Sequence, residues 1–139
     1  MQENPFSQGP YLAVAVLCEK VLVERDGVFS AIRLVDRINR SAVGAEAPAV
    51  MEPFDYQLYM FLSFKSESAR GPMTLDVRME KPSGSSVSPT HQTVNFEGDD
   101  ERGINLVTDV RIRFEEPGLY WFHVFLDSQR MTRIPMRVV

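Results

Sequence analysis

The sequence predicts an all-β protein, an antiparallel sandwich of two sheets with about seven or eight strands. Short segments alternate apolar and polar residues and are separated by turns rich in Gly, Pro and Ser, which is the pattern of half-buried strands. No convincing helical period and no internal repeat appears anywhere in the sequence. Because the strands vary in length, a sandwich is favoured over a closed barrel.

The length and composition indicate one globular domain. The chain has 139 residues, of which 44% are hydrophobic and 24% charged, and this suits a single domain with one core. Residues 1–10 contain two Pro, one Gly and several polar residues. We therefore predict a flexible tail over residues 1–10 and a single β-sandwich domain over residues 11–139.

Charge and cysteine content disfavour several partners and sites. The formal net charge is −4 and the pI is about 5.2, so nucleic acid and anionic membranes, which attract an excess of Lys and Arg, are not expected partners. The single cysteine, Cys18, cannot form an internal disulfide or a Cys-rich zinc site. The sequence shows no signal peptide and no apolar run of membrane-spanning length, which predicts a cytoplasmic protein.

The first half of the chain is predicted to hold three strands and one long connection. Residues 11–24 are rich in Val and Leu, and an Asp-Gly turn leads from them into a strand over 28–38, which indicates a hairpin. Residues 39–54 contain two Pro and one Gly and are interpreted as a connection between the two sheets. Residues 55–67 then form a strand with apolar side chains on both faces.

The middle of the chain alternates strands with polar loops. Residues 73–82 place Met, Leu and Val inward and charged residues outward, and residues 104–114 repeat this alternation. Between them, residues 83–90 are predicted to be a polar loop and residues 91–98 a weak strand.

Two strands close the chain. A Pro-Gly turn leads into residues 117–128, which are apolar and aromatic on both faces. Residues 130–139 follow, and their Pro135 predicts an edge or terminal strand because proline cannot donate to a sheet ladder.

Two segments of the chain carry a resemblance to a known family. They are "LAVAVLCEKVLVERDGVFSAIRLVDRI" (12–38) and "EEPGLYWFHVFLDSQRMTRIPMRV" (115–138), and the middle segment "MTLDVRMEKPSG" fits the same pattern. Together they resemble a bacterial family of small β-sandwich proteins of unknown function. The closing Pro-Gly-x-Tyr-x-Phe pattern is also typical of immunoglobulin-like sandwiches. The resemblance implies an immunoglobulin-like fold and brings no activity, cofactor or catalytic residue.

Three strands carry large apolar groups on both faces, namely 11–23, 56–66 and 119–127. The outer face of an antiparallel sandwich is ordinarily polar, so one sheet is predicted to have an apolar outer face that serves as a binding surface. Its candidate residues are Leu119, Trp121, His123 and Phe125 from the last of these strands, and Tyr59 and Phe61 from the middle one.

Three explanations compete for what covers this apolar face. The connection over 39–54 folds across it, or a second chain contacts it as a homo-oligomer or an unidentified protein partner, or it forms a shallow aromatic ligand platform. Cover by the connection together with an oligomer contact is preferred. The residues of the connection suited to this role are Val43, Ala47, Ala49, Val50 and Met51.

Outward charges form rows that are interpreted as cross-strand ion pairs on a wet sheet, each contributing about 0.2–1 kcal/mol. An arginine patch for an anionic ligand is the alternative, and it is disfavoured because acids are interleaved with the bases. The rows are Asp76, Arg78 and Glu80, and Asp109, Arg111 and Arg113, with Arg133 and Arg137 expected near them.

The sequence contains no catalytic motif. Cys18 acts as a nucleophile only if its strand neighbours that of His123, and packing is the preferred role of this thiol. His91 and His123 do not share a metal-binding spacing, and the acidic loop over 97–103 is interpreted as a solvated turn rather than a Ca²⁺ site. We therefore expect no enzyme, no cofactor and no metal.

The preferred functional hypothesis is a non-enzymatic β-sandwich module that self-associates or binds a protein through its apolar sheet face. The alternative is a small-ligand or carbohydrate-binding sandwich that uses Trp121, His123 and Tyr59. An enzyme built on Cys18 or the histidines is the weakest of the three hypotheses.

Overall fold

The protein folds as a sandwich of β-strands. The structure is a computed structural model that describes residues 9–39, 51–99 and 101–139. Within these residues there are nine strands and no helix, and therefore no helix long and apolar enough to cross a membrane. The strands are β1 (Tyr11–Val23), β2 (Phe29–Leu34), β3 (Arg37–Ile38), β4 (Phe54–Lys65), β5 (Arg70–Glu80), β6 (Ser86–Glu97), β7 (Gly103–Phe114), β8 (Gly118–Leu126) and β9 (Gln129–Val138).

Two sheets pack face to face. The four-stranded sheet has the order β2-β1-β4-β7 and the five-stranded sheet the order β3-β9-β8-β5-β6. All pairs are antiparallel except β3 and β9, which run parallel. The predicted antiparallel two-sheet sandwich is confirmed, and the short β3 raises the strand count to nine. This arrangement is that of an immunoglobulin-like domain, with β4 and β7 facing β5, β8 and β9 across the core.

Aromatic rings join the two sheets near both ends of the β4–β7 pair. Phe64 of β4 meets Phe96 of β6 edge to face with ring centroids 6.0 Å apart, and Phe114 of β7 meets Tyr120 of β8 in the same way at 4.9 Å. All four side chains are almost completely buried. They belong to the inward rows that period-2 alternation predicts for each strand, so the core is the feature that the sequence pattern specifies most directly.

Tyr120 fixes the corner where the chain passes from one sheet to the other. Its hydroxyl donates a 2.6 Å hydrogen bond to the backbone carbonyl of Glu116, four residues upstream. This contact between the start of a strand and the preceding corner is the tyrosine corner of immunoglobulin-like domains. Burial raises the pKa of the Tyr120 phenol, so the hydroxyl stays neutral and donating over the ordinary pH range.

Replacing Tyr120 by Phe is expected to lower the free energy of unfolding by about 1–3 kcal/mol, because the corner carbonyl loses its donor inside the protein. The wild type is also expected to lose stability above pH of about 10, where the unfolded phenol ionises while the folded one stays protonated. That part of the pH dependence is absent in Tyr120→Phe. Urea titrations of both proteins at pH 7 and pH 10.5 measure it, and equal pH dependence in the two proteins is the contrary result.

The segment over 28–38 departs from the predicted single strand. Arg33 has a φ of 58°, and β2 ends one residue later. The amide of Val35 still donates to Leu17 in the four-stranded sheet, whereas the carbonyl of Asp36 accepts from Arg137 in the five-stranded sheet. The chain thus crosses the flank of the sandwich over two residues. Alternation continues through such a crossing, so the sequence pattern does not reveal it.

The segment predicted as a polar loop over 83–90 is also shorter than expected. β6 begins at Ser86 and runs to Glu97 as the edge strand beside β5. Ser88 is held there by its hydroxyl, which donates a 2.6 Å hydrogen bond to Asp76 of β5. Serines are typical of loops, but an edge strand whose side chains face solvent accepts them once a neighbouring strand supplies the ladder.

Pro135 occupies the edge position that its residue type predicts. The amide of Arg137 donates toward β3, so residue 135, two positions earlier, directs its backbone to the same side. β3 pairs with β9 only at Arg137 and Val138. The missing N–H of Pro135 therefore faces away from β8 and leaves the β8–β9 ladder intact.

Candidate functional site

The strands with two apolar faces are the central strands of two different sheets. β4 lies between β1 and β7, and β8 lies between β9 and β5. The prediction that they share one apolar outer face is therefore wrong. The outer face of the five-stranded sheet carries four of the candidate residues, Leu119, Trp121, His123 and Phe125. The outer face of the four-stranded sheet carries the other two, Tyr59 and Phe61.

Phe61 is partly covered by the chain's own first hairpin. Its strand partner in β1 is Val16, yet its ring centroid lies 5.4 Å from that of Phe29, which pairs with Val23. Val16 and Val23 are seven residues apart, about 23 Å in an extended strand. The β1–β2 hairpin must therefore turn back over the outer face of the four-stranded sheet.

Only the two ends of the long connection over 39–54, namely Asn39 and residues 51–54, belong to the described residues. Val43, Ala47, Ala49 and Val50 lie outside them, so the prediction that these residues cover an outer face is neither supported nor contradicted. Met51 is described, and it packs against the inner core of the sandwich.

Cys18 is a packed thiol of the four-stranded sheet. It lies opposite Tyr59, is completely buried, and its Sγ is 3.5 Å from the Tyr59 carbonyl oxygen. Burial raises the pKa of the thiol, which disfavours the thiolate that a nucleophile requires. His123 lies on the outer face of the other sheet, and stacked sheets are about 10 Å apart. The structure therefore does not form the Cys18–His123 pair on which the enzymatic hypothesis depended.

Cys18 is expected to resist thiol reagents in the folded protein. At pH 8 the reaction with a disulfide reagent is predicted to be about a hundredfold slower than in denaturant, because the sulfur is buried and its pKa is raised. The absorbance of the released thiolate follows the reaction. Equal rates with and without denaturant would show an accessible thiol.

On the five-stranded sheet, arginines from neighbouring strands lie over the aromatic rings of β8. The guanidinium carbon of Arg133 is 4.0 Å from the ring centroid of Trp121, and that of Arg78 is 4.6 Å from the ring centroid of Phe125. Both distances are within the range of cation–π contacts. We call this surface the stacked face, formed by Trp121, His123 and Phe125 of β8, Arg78 of β5 and Arg133 of β9.

The strand register explains why each arginine reaches a ring. Arg78 and Arg133 both lie directly opposite His123, on its two sides. Arg133 leans along the sheet toward Trp121 and Arg78 leans the other way toward Phe125, so both contacts are diagonal cross-strand pairs. His123 stays between them with its side chain 14% exposed, and its Nε2 is 3.5 Å from the Glu80 carboxylate.

The carboxylate of Asp76, on the outer face of β5, holds one of the arginines of the stacked face in place. Asp76 accepts a 2.8 Å hydrogen bond from Arg78 and a 2.6 Å hydrogen bond from Ser88. Burial opposes ionisation of Asp76, but these hydrogen bonds outweigh it, so the pKa of Asp76 lies below its ordinary value. Arg78 is thus paired within its own sheet, and the Asp76 charge is compensated.

The charged rows predicted from the sequence also divide between the sheets. Asp109 and Arg111 pair with each other on β7, at 3.3 Å, on the opposite side of the sandwich from Arg133. The sequence identified Arg78 and Arg133 as outward residues but not as partners of Phe125 and Trp121, respectively. A diagonal contact across strands depends on the register, for which a single strand's alternation carries no signal.

The acidic loop after β6 is internally paired. Arg102 contacts the carboxylates of Glu97 and Asp99, the latter at 3.8 Å. Within the described ranges, no group of three or more His, Cys, Asp or Glu side chains is arranged to hold a metal ion. An open cleft of about 510 Å³ beside this loop is lined by Arg70, Asn95 and their neighbours and lies away from the stacked face.

The stacked face thus consists of aromatic rings with guanidinium groups over them on the outer side of the five-stranded sheet.

The model of a family of unknown function (DUF6941) matches residues 13–139 of the chain. The chain belongs to this family. The predicted resemblance is therefore confirmed, and the family supplies a fold and no activity.

Comparison with solved structures shows similarity to other proteins or to parts of them. A β-glucosidase from Listeria innocua in complex with glucose is similar at a TM-score of 0.52 and 13% identity, over 92% of this chain and 16% of the enzyme. The chain thus spans about a sixth of that enzyme's length. An immunoglobulin-like protein from Pseudomonas aeruginosa matches at a TM-score of 0.36 and 11% identity, over 96% and 98% of the two chains. No match is found among curated proteins.

Proposed function

We propose that this β-sandwich is a non-enzymatic protein-binding module whose partner contacts the stacked face. The observation that carries the proposal is the placement of Arg133 on Trp121 and of Arg78 on Phe125. Trp and Arg are the residue types most enriched at the energetic centres of protein interfaces. Holding the guanidinium over the ring reduces the side-chain entropy that is lost when a partner binds.

The same geometry disfavours a carbohydrate platform. Sugar stacking needs an open ring face, and the guanidinium of Arg133 lies over the Trp121 ring at 4.0 Å. Tyr59, the other aromatic residue of that hypothesis, lies on the opposite sheet. A sugar would therefore meet a Trp121 ring that Arg133 already covers, and Tyr59 would not lie beside it.

Photo-crosslinking tests whether the stacked face binds a protein. A photoreactive amino acid is placed at position 133 and, as a matched control, at position 111, an exposed arginine position on the outer face of the other sheet. After irradiation in cells of the source organism, mass spectrometry identifies the products. We expect one discrete protein from position 133 and not from position 111. The same protein captured equally from both positions, or only from 111, would overturn the proposal.

Self-association is a second candidate, favoured by the first hairpin. Four large apolar residues between positions 23 and 34 are exposed, and β2 is an edge strand of the four-stranded sheet. An exposed edge with apolar side chains can pair with the same strand of a second copy in a two-fold contact. The four residues are Val23, Val28, Ile32 and Leu34, with Leu34 exposed by 64%.

Light scattering tests this second candidate. At micromolar concentration the wild type is expected to show a dimer mass, and Leu34→Lys is expected to return the monomer mass, because it places a charge in the apolar contact. Arg111→Gln, on the outer face of β7, serves as the matched surface control. A wild type that stays monomeric would exclude self-association and would not affect the proposal that the stacked face binds a protein.

A further inference from the structure

We infer that the stacked face recognises an extended acidic segment of its protein partner, an inference that rests on the function proposed above. The observation is a row of arginines along β9. Arg130, Arg133 and Arg137 lie opposite Phe125, His123 and Leu119 of β8 and point away from the core. Within the described part of the chain, none of the three forms an ion pair.

The arginines of β2 and β7 are paired, whereas the three arginines of β9 form no ion pair among the described residues. Arg33, Arg111 and Arg113 each lie within 3.4 Å of a carboxylate. The chain has 19 acidic and 15 basic residues, so carboxylates are in excess. The positive charge of the β9 row is therefore not a consequence of a basic composition. The row creates a local positive potential on the surface of an acidic protein, and we call this part of the surface the β9 strip.

A fourth arginine lengthens the strip at one end. Arg37 of β3 pairs directly with Arg137 of β9, and adjacent strands are about 4.8 Å apart. Like charges that start from directly opposite positions repel each other and favour an anion that bridges them. No described carboxylate forms an ion pair with either side chain.

The spacing of the strip suits an extended peptide. Arg133 and Arg137 are four residues apart on one strand, a distance of about 13 Å. Carboxylates at positions i and i+4 of an extended segment have the same spacing. The contact with Trp121 restrains the Arg133 guanidinium, and Arg133 is exposed, so its N–H groups are accessible to a carboxylate.

The charges on the other side of the aromatic row oppose a nucleic-acid backbone. Glu80 and Asp76 border β8 on the β5 side, and the whole chain carries a net charge of −4. A continuous phosphate backbone would have to pass these carboxylates, whereas a peptide can place its few acidic residues on the β9 strip alone. The arrangement therefore favours a carboxylate-bearing peptide over a phosphate polymer.

Peptide binding tests the inference with a defined probe. A fluorescently labelled peptide of ten glutamates is titrated with the full chain in low-salt buffer, and anisotropy is recorded. A peptide of ten glutamines with the same label is the neutral control. We expect saturable binding of the glutamate peptide only, weakening steeply as salt is added.

Matched variants locate the binding. Arg133→Gln is expected to weaken the glutamate peptide about tenfold, because a charge-assisted contact is lost. Arg111→Gln, which removes an arginine from the outer face of the other sheet, is expected to leave the affinity unchanged. Circular dichroism confirms that both variants are folded, since both positions are exposed.

Three results would overturn the inference. They are equal binding of the glutamate and glutamine peptides, an effect of Arg111→Gln as large as that of Arg133→Gln, and tighter binding of a single-stranded thymidine oligonucleotide than of the glutamate peptide. The crosslinking comparison of positions 133 and 111 does not depend on the charge of the partner. A partner captured at position 133 together with a failed peptide titration therefore refutes the acidic segment and leaves the protein-binding function standing.

Discussion

Replacing Phe114 by Ala is expected to lower the free energy of unfolding by about 3–5 kcal/mol. Phe114 is completely buried, and its ring contacts Tyr120 across the sandwich at 4.9 Å and Phe54 beside it at 5.4 Å. Truncation leaves a cavity between the two sheets and removes both aromatic contacts. Urea unfolding followed by the fluorescence of Trp121, the single tryptophan, measures the change.

Val87→Ala is the control for this prediction. Val87 is exposed by 44% on the edge strand β6, so its truncation is expected to change stability by less than about 0.5 kcal/mol. A change at Phe114 no larger than the change at Val87 would mean that the two sheets do not pack through these rings.

The second large effect is expected at Trp121. Trp121→Ala removes the surface on which Arg133 rests, and we expect the affinity for the partner captured at position 133 to fall by about 2 kcal/mol, roughly thirtyfold. Trp121 is partly exposed on the outer face of its sheet, so the fold is expected to persist. Isothermal titration with the purified partner measures the loss.

The variant Trp121→Phe tests whether Trp121 acts by supporting the Arg133 guanidinium or by contacting the partner with its own indole. A phenyl ring still supports a guanidinium, although less well than an indole, so this variant is expected to retain most of the affinity. An equal loss in Trp121→Phe and Trp121→Ala would indicate that the indole itself, rather than the stacked arginine, contacts the partner.

The fold could be predicted because strand alternation is a local property of the sequence. Leu75, Val77 and Met79 alternate with charged residues, and all three are buried in the core. The Pro-Gly turn before Tyr120 likewise indicated the corner at which the chain changes sheets. Each of these signals depends on residues within one strand or one turn.

The site could not be predicted to the same extent because it depends on which strands are neighbours. Alternation showed that β4 and β8 each have two apolar faces, but Phe61 and Trp121 belong to different sheets. A central strand has long side chains on both sides to shield its outer face. Arg78 and Arg133 do so for β8, and Phe29 does so for β4. A two-sided apolar strand therefore indicates a central strand and not an uncovered sheet.

The most direct measurement is the indole N–H resonance of Trp121 in a two-dimensional ¹⁵N–¹H spectrum. The sequence has one Trp, so this resonance reports on the stacked face without ambiguity. On titration with the partner protein, we expect the indole signal to move or broaden together with the amides of β8 and β9. An unchanged indole signal, accompanied by shifts confined to the amides of β4 and β7, would contradict the account.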